Sequence, residues 1–174
     1  FGEIKNLKPL IKAFNQAQRI YEDISLYLLG DGFEIAGEAY MWCQENDLLT
    51  NIFFIGKVNY SEVMSLLDKS DLMVHPAKEE SFGNILVEAM SRRVPVIAGE
   101  KSGAVPWVAG DSCMLVDINS VDKIYKSILY FIVNNDKLNI YSKIRYDNVY
   151  SRFRLSQIAL KYLQSFKSIK EFDI

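Results

Sequence analysis

Short apolar runs closed by glycine or proline alternate along this chain with stretches of helical periodicity, and that alternation is what most limits its fold. Leu7, Leu10, Ile11, Phe14, Ala17 and Ile20 follow the i, i+3, i+4, i+7 spacing of an amphipathic helix. Residues 25–29 form a short apolar run stopped by Gly30-Asp31-Gly32, which reads as a buried strand and a turn. Residues 33–47 read as a second helix and 51–56 as a second strand. A third helix follows over 61–69, with Val63, Leu66 and Leu67 inward. A strand over 71–76 ends at Pro76, a helix runs from about 83 to 93, and strands cover 94–98 and 113–116. Helices over 121–133, 136–148 and 155–169 complete the pattern. Strands alternating with helices require parallel pairing through right-handed crossovers, and near-continuous apolar strands imply a sheet covered on both faces. The expected fold is α/β, a Rossmann-like doubly wound parallel sheet flanked by helices, in one domain spanning residues 1–174.

In such sheets the ligand lies beyond the carboxyl ends of the strands, where loops run into helix N-termini. The stretches that matter are therefore 30–33, 56–60, 76–84 and 99–107, joined by 2–6 if a strand precedes residue 1. The third is the most informative. Its helix should start near Gly83, because glycine lets backbone approach a ligand and the helical pattern begins there. The free N–H groups and positive dipole end of that helix suit a phosphate. Glu80 sits on the loop before the helix, and Glu88 lies one to two turns inside it. The two carboxylates are offered to one cleft at different depths, as acceptors for sugar hydroxyls.

Composition removes other classes. A net charge of −2 gives no reason to expect nucleic-acid binding, which needs a clustered positive face. Cys43 and Cys113 lack C-x-x-C spacing and sit in apolar company, so buried thiols are expected, not a disulfide framework or a zinc site. A single histidine, His75, rules out a multi-histidine metal site within the chain. No apolar run reaches the ~20 residues that span a bilayer, and no signal peptide is expected.

The stretch Pro76-Ala77-Lys78-Glu79-Glu80-Ser81-Phe82-Gly83 to Glu88-Ala89-Met90, followed by Arg93-Val94-Pro95-Val96-Ile97-Ala98, resembles the E-x7-E segment of family 4 (group 1) glycosyltransferases. That pattern reads P-S-x-x-E-x-F-G-x-x-x-x-E-A-M, then G-x-P-V-I-A. The resemblance covers nearly the whole chain. Leu28-Leu29-Gly30-Asp31-Gly32 is similar to the family's L-x-G-x-G turn, and Phe54-Ile55-Gly56-Lys57-Val58 to its F-x-G-x-V segment. Lys5-Asn6 is similar to its K-N/K-G, and Ser102-Gly103-Ala104-Val105-Pro106 to its G-G-x-P-E loop.

The resemblance implies a GT-B enzyme of two Rossmann-like halves, of which this chain is the C-terminal, donor-binding half. It implies retaining transfer from a nucleotide-activated sugar to a saccharide or lipid-linked acceptor, without a bound metal or other cofactor, in cell-surface polysaccharide or glycolipid assembly. Glu80 would contact hydroxyls of the transferred sugar, with the Phe82 and Gly83 amides near the sugar and diphosphate. Glu88 would hold the ribose hydroxyls, and Lys5 would neutralise the diphosphate as the glycosidic bond breaks. Gly30, Gly32 and Gly56 would line the donor site. The family's diphosphate grip is an R-x4-K pair, so counting back from Lys5 puts its arginine immediately before Phe1. The acceptor site would then lie on an upstream domain, and these residues alone should bind nucleotide weakly and catalyse little. The expected location is cytoplasmic, with peripheral contact at the inner membrane face.

The chain departs from the pattern at Ala77 for serine, Arg93 for the glycine before P-V-I, and Trp107 for the glutamate of G-G-x-P-E. Blander readings stand beside the sharp ones. Alone, Glu80 and Glu88 would more often be solvated charges, but the surrounding Phe82-Gly83, Ala89-Met90 and Pro95-Val96-Ile97 favour a site; paired carboxylates also serve glycoside hydrolysis, against which the fold and the motif order weigh. Gly30-x-Gly32 with Gly37 imitates a dinucleotide fingerprint, but Ile35 occupies its third small position. Lys5 could be a surface lysine, Lys57 a loop lysine, and His75 reads as a core-edge residue. Tyr125, Tyr130, Phe131, Phe153, Tyr162 and Phe166 read mostly as core. Lys161, Lys167 and Lys170 form a modest basic edge that could meet anionic lipid, with solvated surface as the default. Two rivals stay open: a GT-B nucleotide-sugar epimerase, and a non-catalytic nucleotide-binding or regulatory module.

Overall fold

A computed structural model describes residues 2–134 and 138–170, and of residues 138–144 and 169–170 the backbone only. Helix α1 (Leu7–Gln18) buries Leu7, Leu10, Ile11, Phe14 and Ala17, the expected stripe, and packs against α6 (Val121–Val133). Strands β1 (Leu26–Leu29) and β2 (Ile52–Gly56) pair in parallel, with Leu26 opposite Ile52 and a register shift that brings Leu29 opposite Gly56. Between them lies α2 (Glu38–Glu45). Helix α3 (Tyr60–Asp68) opens on a capping box, in which Asn59 Oδ1 accepts from the Glu62 N–H and Glu62 Oε2 accepts from the Asn59 N–H, each at 3.0 Å.

The second sheet has the order β3–β4–β5, with β3 (Met73–His75), β4 (Val96–Gly99) and β5 (Met114–Val116) all parallel. Helix α4 (Asn84–Ser91) crosses from β3 to β4, and α5 (Val105–Ala109) with a short 3-10 turn leads to β5. Strand β4 is buried along its whole length and shows why. Ile97 belongs to the core beneath α1, α2 and α6, whereas Val96 and Ala98 belong to the core beneath α3, α4 and α5. Successive residues of a strand face opposite ways, so a strand that serves two cores must be apolar at every position. Helix α7 (Leu138–Phe153) packs on α4, and its buried Arg145 donates from Nε to the Ser112 carbonyl at 3.1 Å.

Several expectations need correction. The second helix begins at Glu38, because the chain turns at residues 33–37 and Glu34 forms an antiparallel bridge with Ile55. Ile20 lies past the end of α1 and is exposed. Strands β1 and β2 are not covered on both faces: Tyr27 and Phe53 stack on each other at 4.8 Å, and both are exposed together with Ile55. Phe131 is buried, but Tyr130, Tyr162 and Phe166 are exposed. The expected start of the penultimate helix at Asp136 lies outside the described residues. Both cysteines are free, as expected, and burial raises Cys43 to about 11 and Cys113 to about 12, so the thiols stay protonated.

The start of α1 is fixed by Asn6, which is buried at φ 51 and donates from Nδ2 to the Ile118 carbonyl at 2.9 Å. Asn6→Ala should therefore cost about 2 kcal/mol, from a lost buried hydrogen bond and a left-handed alanine. Asn6→Gly, which relieves only the backbone, should cost about 1 kcal/mol. Urea unfolding of the two variants tests this, and an unchanged midpoint in both would show the bond contributes nothing.

Candidate functional site

The carboxyl ends of β3, β4 and β5 gather three loops and the segment before α1. The Lys78 N–H donates to the Ile4 carbonyl at 2.8 Å, and Asn6 reaches Ile118 beyond β5, so residues 4–6 are stitched into this end of the sheet. Glu80 is held by its main chain as well. Its carbonyl accepts from the Ala104 N–H at 3.0 Å, and a Cβ placed on Gly103 would lie 2.5 Å from that same oxygen. Only glycine fits there, since Gly103 also has a φ of +58.

The Glu80 carboxylate accepts from the Ser81 N–H at 3.2 Å and stands 3.6 Å from His75 Nε2. That buried nitrogen has no hydrogen-bond partner among the described residues. Burial pushes the His75 pKa below its ordinary value, Glu80 opposes the shift, and the Lys5 ammonium adds to it. Lys5, His75 and Glu80 thus form one electrostatic group although they are far apart in sequence. The sequence reads His75 as a core-edge residue; its proximity to Glu80 is a tertiary fact that no spacing carried.

Gly83 is the N-cap of α4 at φ 80 and ψ 60, and no side chain caps the helix or places an acid in its first turn. A Cβ on Gly83 would sit 2.9 Å from Leu86 Cδ1 and 3.1 Å from Glu80 Cγ. The helix therefore presents open amides and a positive end beside Glu80. Glu88 lies half-buried on α4, and its carboxylate makes no hydrogen bond or ion pair among the described residues. Phe82 is half-buried against Trp107 and Phe153, with ring centroids at 6.3 and 5.5 Å.

Gly30, Gly32 and Gly56 form a second group, at the ends of β1 and β2. The Gly30 N–H donates to the Gly56 carbonyl at 2.8 Å, and the Gly56 N–H to the Phe33 carbonyl at 3.0 Å. No hydrogen bond joins them to the Glu80 loop among the described residues. This tight turn does not open a helix, which a dinucleotide fingerprint would require. A cavity of about 120 Å³ lies beside the first group, lined by Lys78, Lys101, Ser102 and Asp117. No cluster of three or more potential metal-ligating side chains occurs among the described residues.

The family model of glycosyl transferases group 1 matches residues 1–147. The chain belongs to that family. N-acetyl-alpha-D-glucosaminyl L-malate synthase of Bacillus anthracis is 29% identical over 171 residues, covering 93% of this chain and 42% of that protein. The chain thus spans less than half the length of this relative. Among solved structures, HepE of Anabaena in complex with UDP-glucose superposes with a TM-score of 0.81 at 20% identity, over 97% of this chain and 46% of that one. The C-terminal domain of the group 1 protein LpcC from Francisella tularensis gives a TM-score of 0.76 at 23% identity, over 89% of this chain and 83% of that one. The chain therefore shares the Rossmann-like α/β fold of these glycosyltransferase structures, with parallel strands flanked by helices.

The lowered pKa of His75 carries a sign. In the folded state it binds fewer protons than in the unfolded state, so stability is full above the ordinary value of 6.5 and falls as pH drops toward the lowered folded value. His75→Gln should flatten this slope in thermal melts between pH 5 and 7. A variant with the wild-type slope would show that His75 stays uncharged for no cost.

Proposed function

We propose that this chain is the donor-binding half of a retaining glycosyltransferase that moves a hexose from a nucleotide-activated sugar to a saccharide or lipid-linked acceptor. The observation that carries the reading is the uncapped N-terminus of α4, flanked by Glu80 before it and Glu88 within it. An anion suits the open amides, and hydroxyls suit the two carboxylates. One ligand satisfies both demands: a diphosphate with a sugar at one end and a ribose at the other. Glu80 would accept hydrogen bonds from the sugar and Glu88 from the ribose, while the amides at Phe82 and Gly83 would meet the diphosphate.

In this reading Lys5 and the α4 amides stabilise charge on the departing diphosphate, with no resident metal or other cofactor. Gly30, Gly32 and Gly56 would let the nucleotide approach the backbone at the ends of β1 and β2. The chain's share of its relative's length supports a second, acceptor-binding domain elsewhere in the protein. The activity would belong to polysaccharide or glycolipid assembly in the cytoplasm, with peripheral contact at the inner membrane face. No helix among the described residues is long and apolar enough to cross a membrane.

Glu80→Ala and Glu88→Ala in the full-length protein should each lower donor affinity at least tenfold, each removing a charged acceptor worth roughly 1.5–3 kcal/mol. A thermal-shift panel of UDP-, GDP- and ADP-sugars reads this directly through mass action. Unchanged donor binding and transfer in both variants would end the enzymatic reading and leave a nucleotide-binding or regulatory module. The 174 residues alone should show little transfer, and robust turnover by them would contradict the two-domain arrangement.

A further inference from the structure

Trp107 is 63% exposed, yet both its ring and its backbone are held by neighbouring side chains. The Arg152 guanidinium lies 4.9 Å from the centre of its ring, and Phe153 meets it edge-to-face at 5.8 Å. Its backbone is held by the same arginine: Arg152 Nη2 donates to the Trp107 carbonyl at 2.6 Å and Nη1 to the Val108 carbonyl at 3.2 Å. Asn148 donates to the next carbonyl, Ala109, at 3.1 Å. Side chains of α7 thus cap the carbonyl end of α5, a helix of five residues that could not fix its own orientation.

A large apolar ring left in water while its conformational freedom is removed is costly as mere packing. As a preorganised binding face it is economical, because ordering has already occurred before a ligand arrives. The ring borders Phe82, two residues from Glu80, and Trp107 lies three residues after Ala104, whose N–H holds the Glu80 carbonyl at 3.0 Å, so the aromatic pair is tied to the loop that carries that carboxylate. A pyranose presents that combination in reverse, with C–H groups on its faces and hydroxyls around its edge.

We propose that Trp107, with Phe82 beside it, is a stacking face for a pyranose ring at the site headed by Glu80, and that Arg152 is the residue that positions it. This rests on the glycosyl-transfer reading above. The ring stacked could be that of the donor or of the acceptor, and the two differ in what the protein must be given before Trp107 responds.

The test uses the full-length protein and the nucleotide sugar that it hydrolyses or transfers from among UDP-, GDP- and ADP-hexoses. Trp107→Ala should raise the KM for the stacked sugar roughly tenfold, with kcat altered far less. Trp107→Phe should recover most of the loss, and Arg152→Gln should shift the same KM in the same direction. Trp42, half-buried, is the one other tryptophan of this chain. Emission from a Trp42→Phe variant, in which any upstream tryptophans are also changed to Phe, therefore reports on Trp107. A saturable change with the nucleotide sugar, beyond that with the nucleoside diphosphate alone, assigns the face to the donor. A change with methyl glycosides in the presence of the diphosphate assigns it to the acceptor. If neither sugar moves the emission and Trp107→Ala leaves both KM values unchanged while Glu80→Ala abolishes transfer, the stacking face is refuted and the glycosyl-transfer reading stands. If Glu80→Ala and Glu88→Ala are also silent, it is that reading which has failed.

Discussion

The Ala104 N–H and the empty Cβ position of Gly103 together seat the Glu80 carbonyl, and the geometry of the site depends on that main-chain contact. Glu80 stands on the loop after β3, Gly103 and Ala104 on the loop after β4. The two can meet only while β3 and β4 hold their parallel register, with His75 opposite Ala98. A slip of one residue would turn Ile97 out of one core and Val96 and Ala98 out of the other, so the burial of β4 on both faces locks the register. The carboxylate is thus placed by the packing of the whole second sheet, and the bonds from Lys78 to Ile4 and Asn6 to Ile118 extend the same stitching to the segment that carries Lys5.

Charge at this end is arranged to leave each group available. A protonated His75 would engage Glu80 as an ion pair and compete with any hydroxyl for its oxygens. Burial and the neighbouring Lys5 ammonium instead hold His75 toward its neutral form, although Glu80 pulls the other way. A neutral His75 does not compete for the Glu80 oxygens, and Lys5, Lys78, Lys101 and the amides of α4 supply positive charge at this end. A ligand that is anionic at one end and rich in hydroxyls at the other meets opposite signs in the right places. In the proposed reading both carboxylates would act on the bound sugar and ribose, a different task from the acid and base of a hydrolase.

What was legible in the sequence was whatever repeats with a regular period. The stripe of α1, the doubly buried β4 and the glycine at the mouth of α4 each leave a local pattern. The turn at residues 33–37 does not, because Phe33, Ile35 and Ala36 mimic a helical start and the Glu34–Ile55 bridge that overrides them is non-local. Helix α5 has five residues, too few for periodicity to show, and its bracing by Arg152 spans 45 positions. The nearness of His75 to Glu80 is equally hidden, since a strand end and a loop acquire a distance only when the sheet forms. The open face of Tyr27, Phe53 and Ile55 was misread because an apolar strand says that burial is wanted, not that a helix is present to supply it.

The three departures from the family pattern turn out to be three different physical situations. Ala77 is buried, so the missing serine hydroxyl is one polar group fewer to satisfy. Arg93 stands at φ 65, where the family's glycine would be free of strain and any side chain costs about 1 kcal/mol; its guanidinium lies 5.4 Å from the Tyr146 ring, a contact that partly offsets the cost. Trp107 replaces an acidic residue with a large apolar one at an exposed position, and the chain supplies Arg152 and Phe153 to hold it. The first two changes are local ones of burial and backbone strain. The third exchanges a charge for an aromatic ring held by Arg152 and Phe153, and the proposed stacking face rests on that exchange.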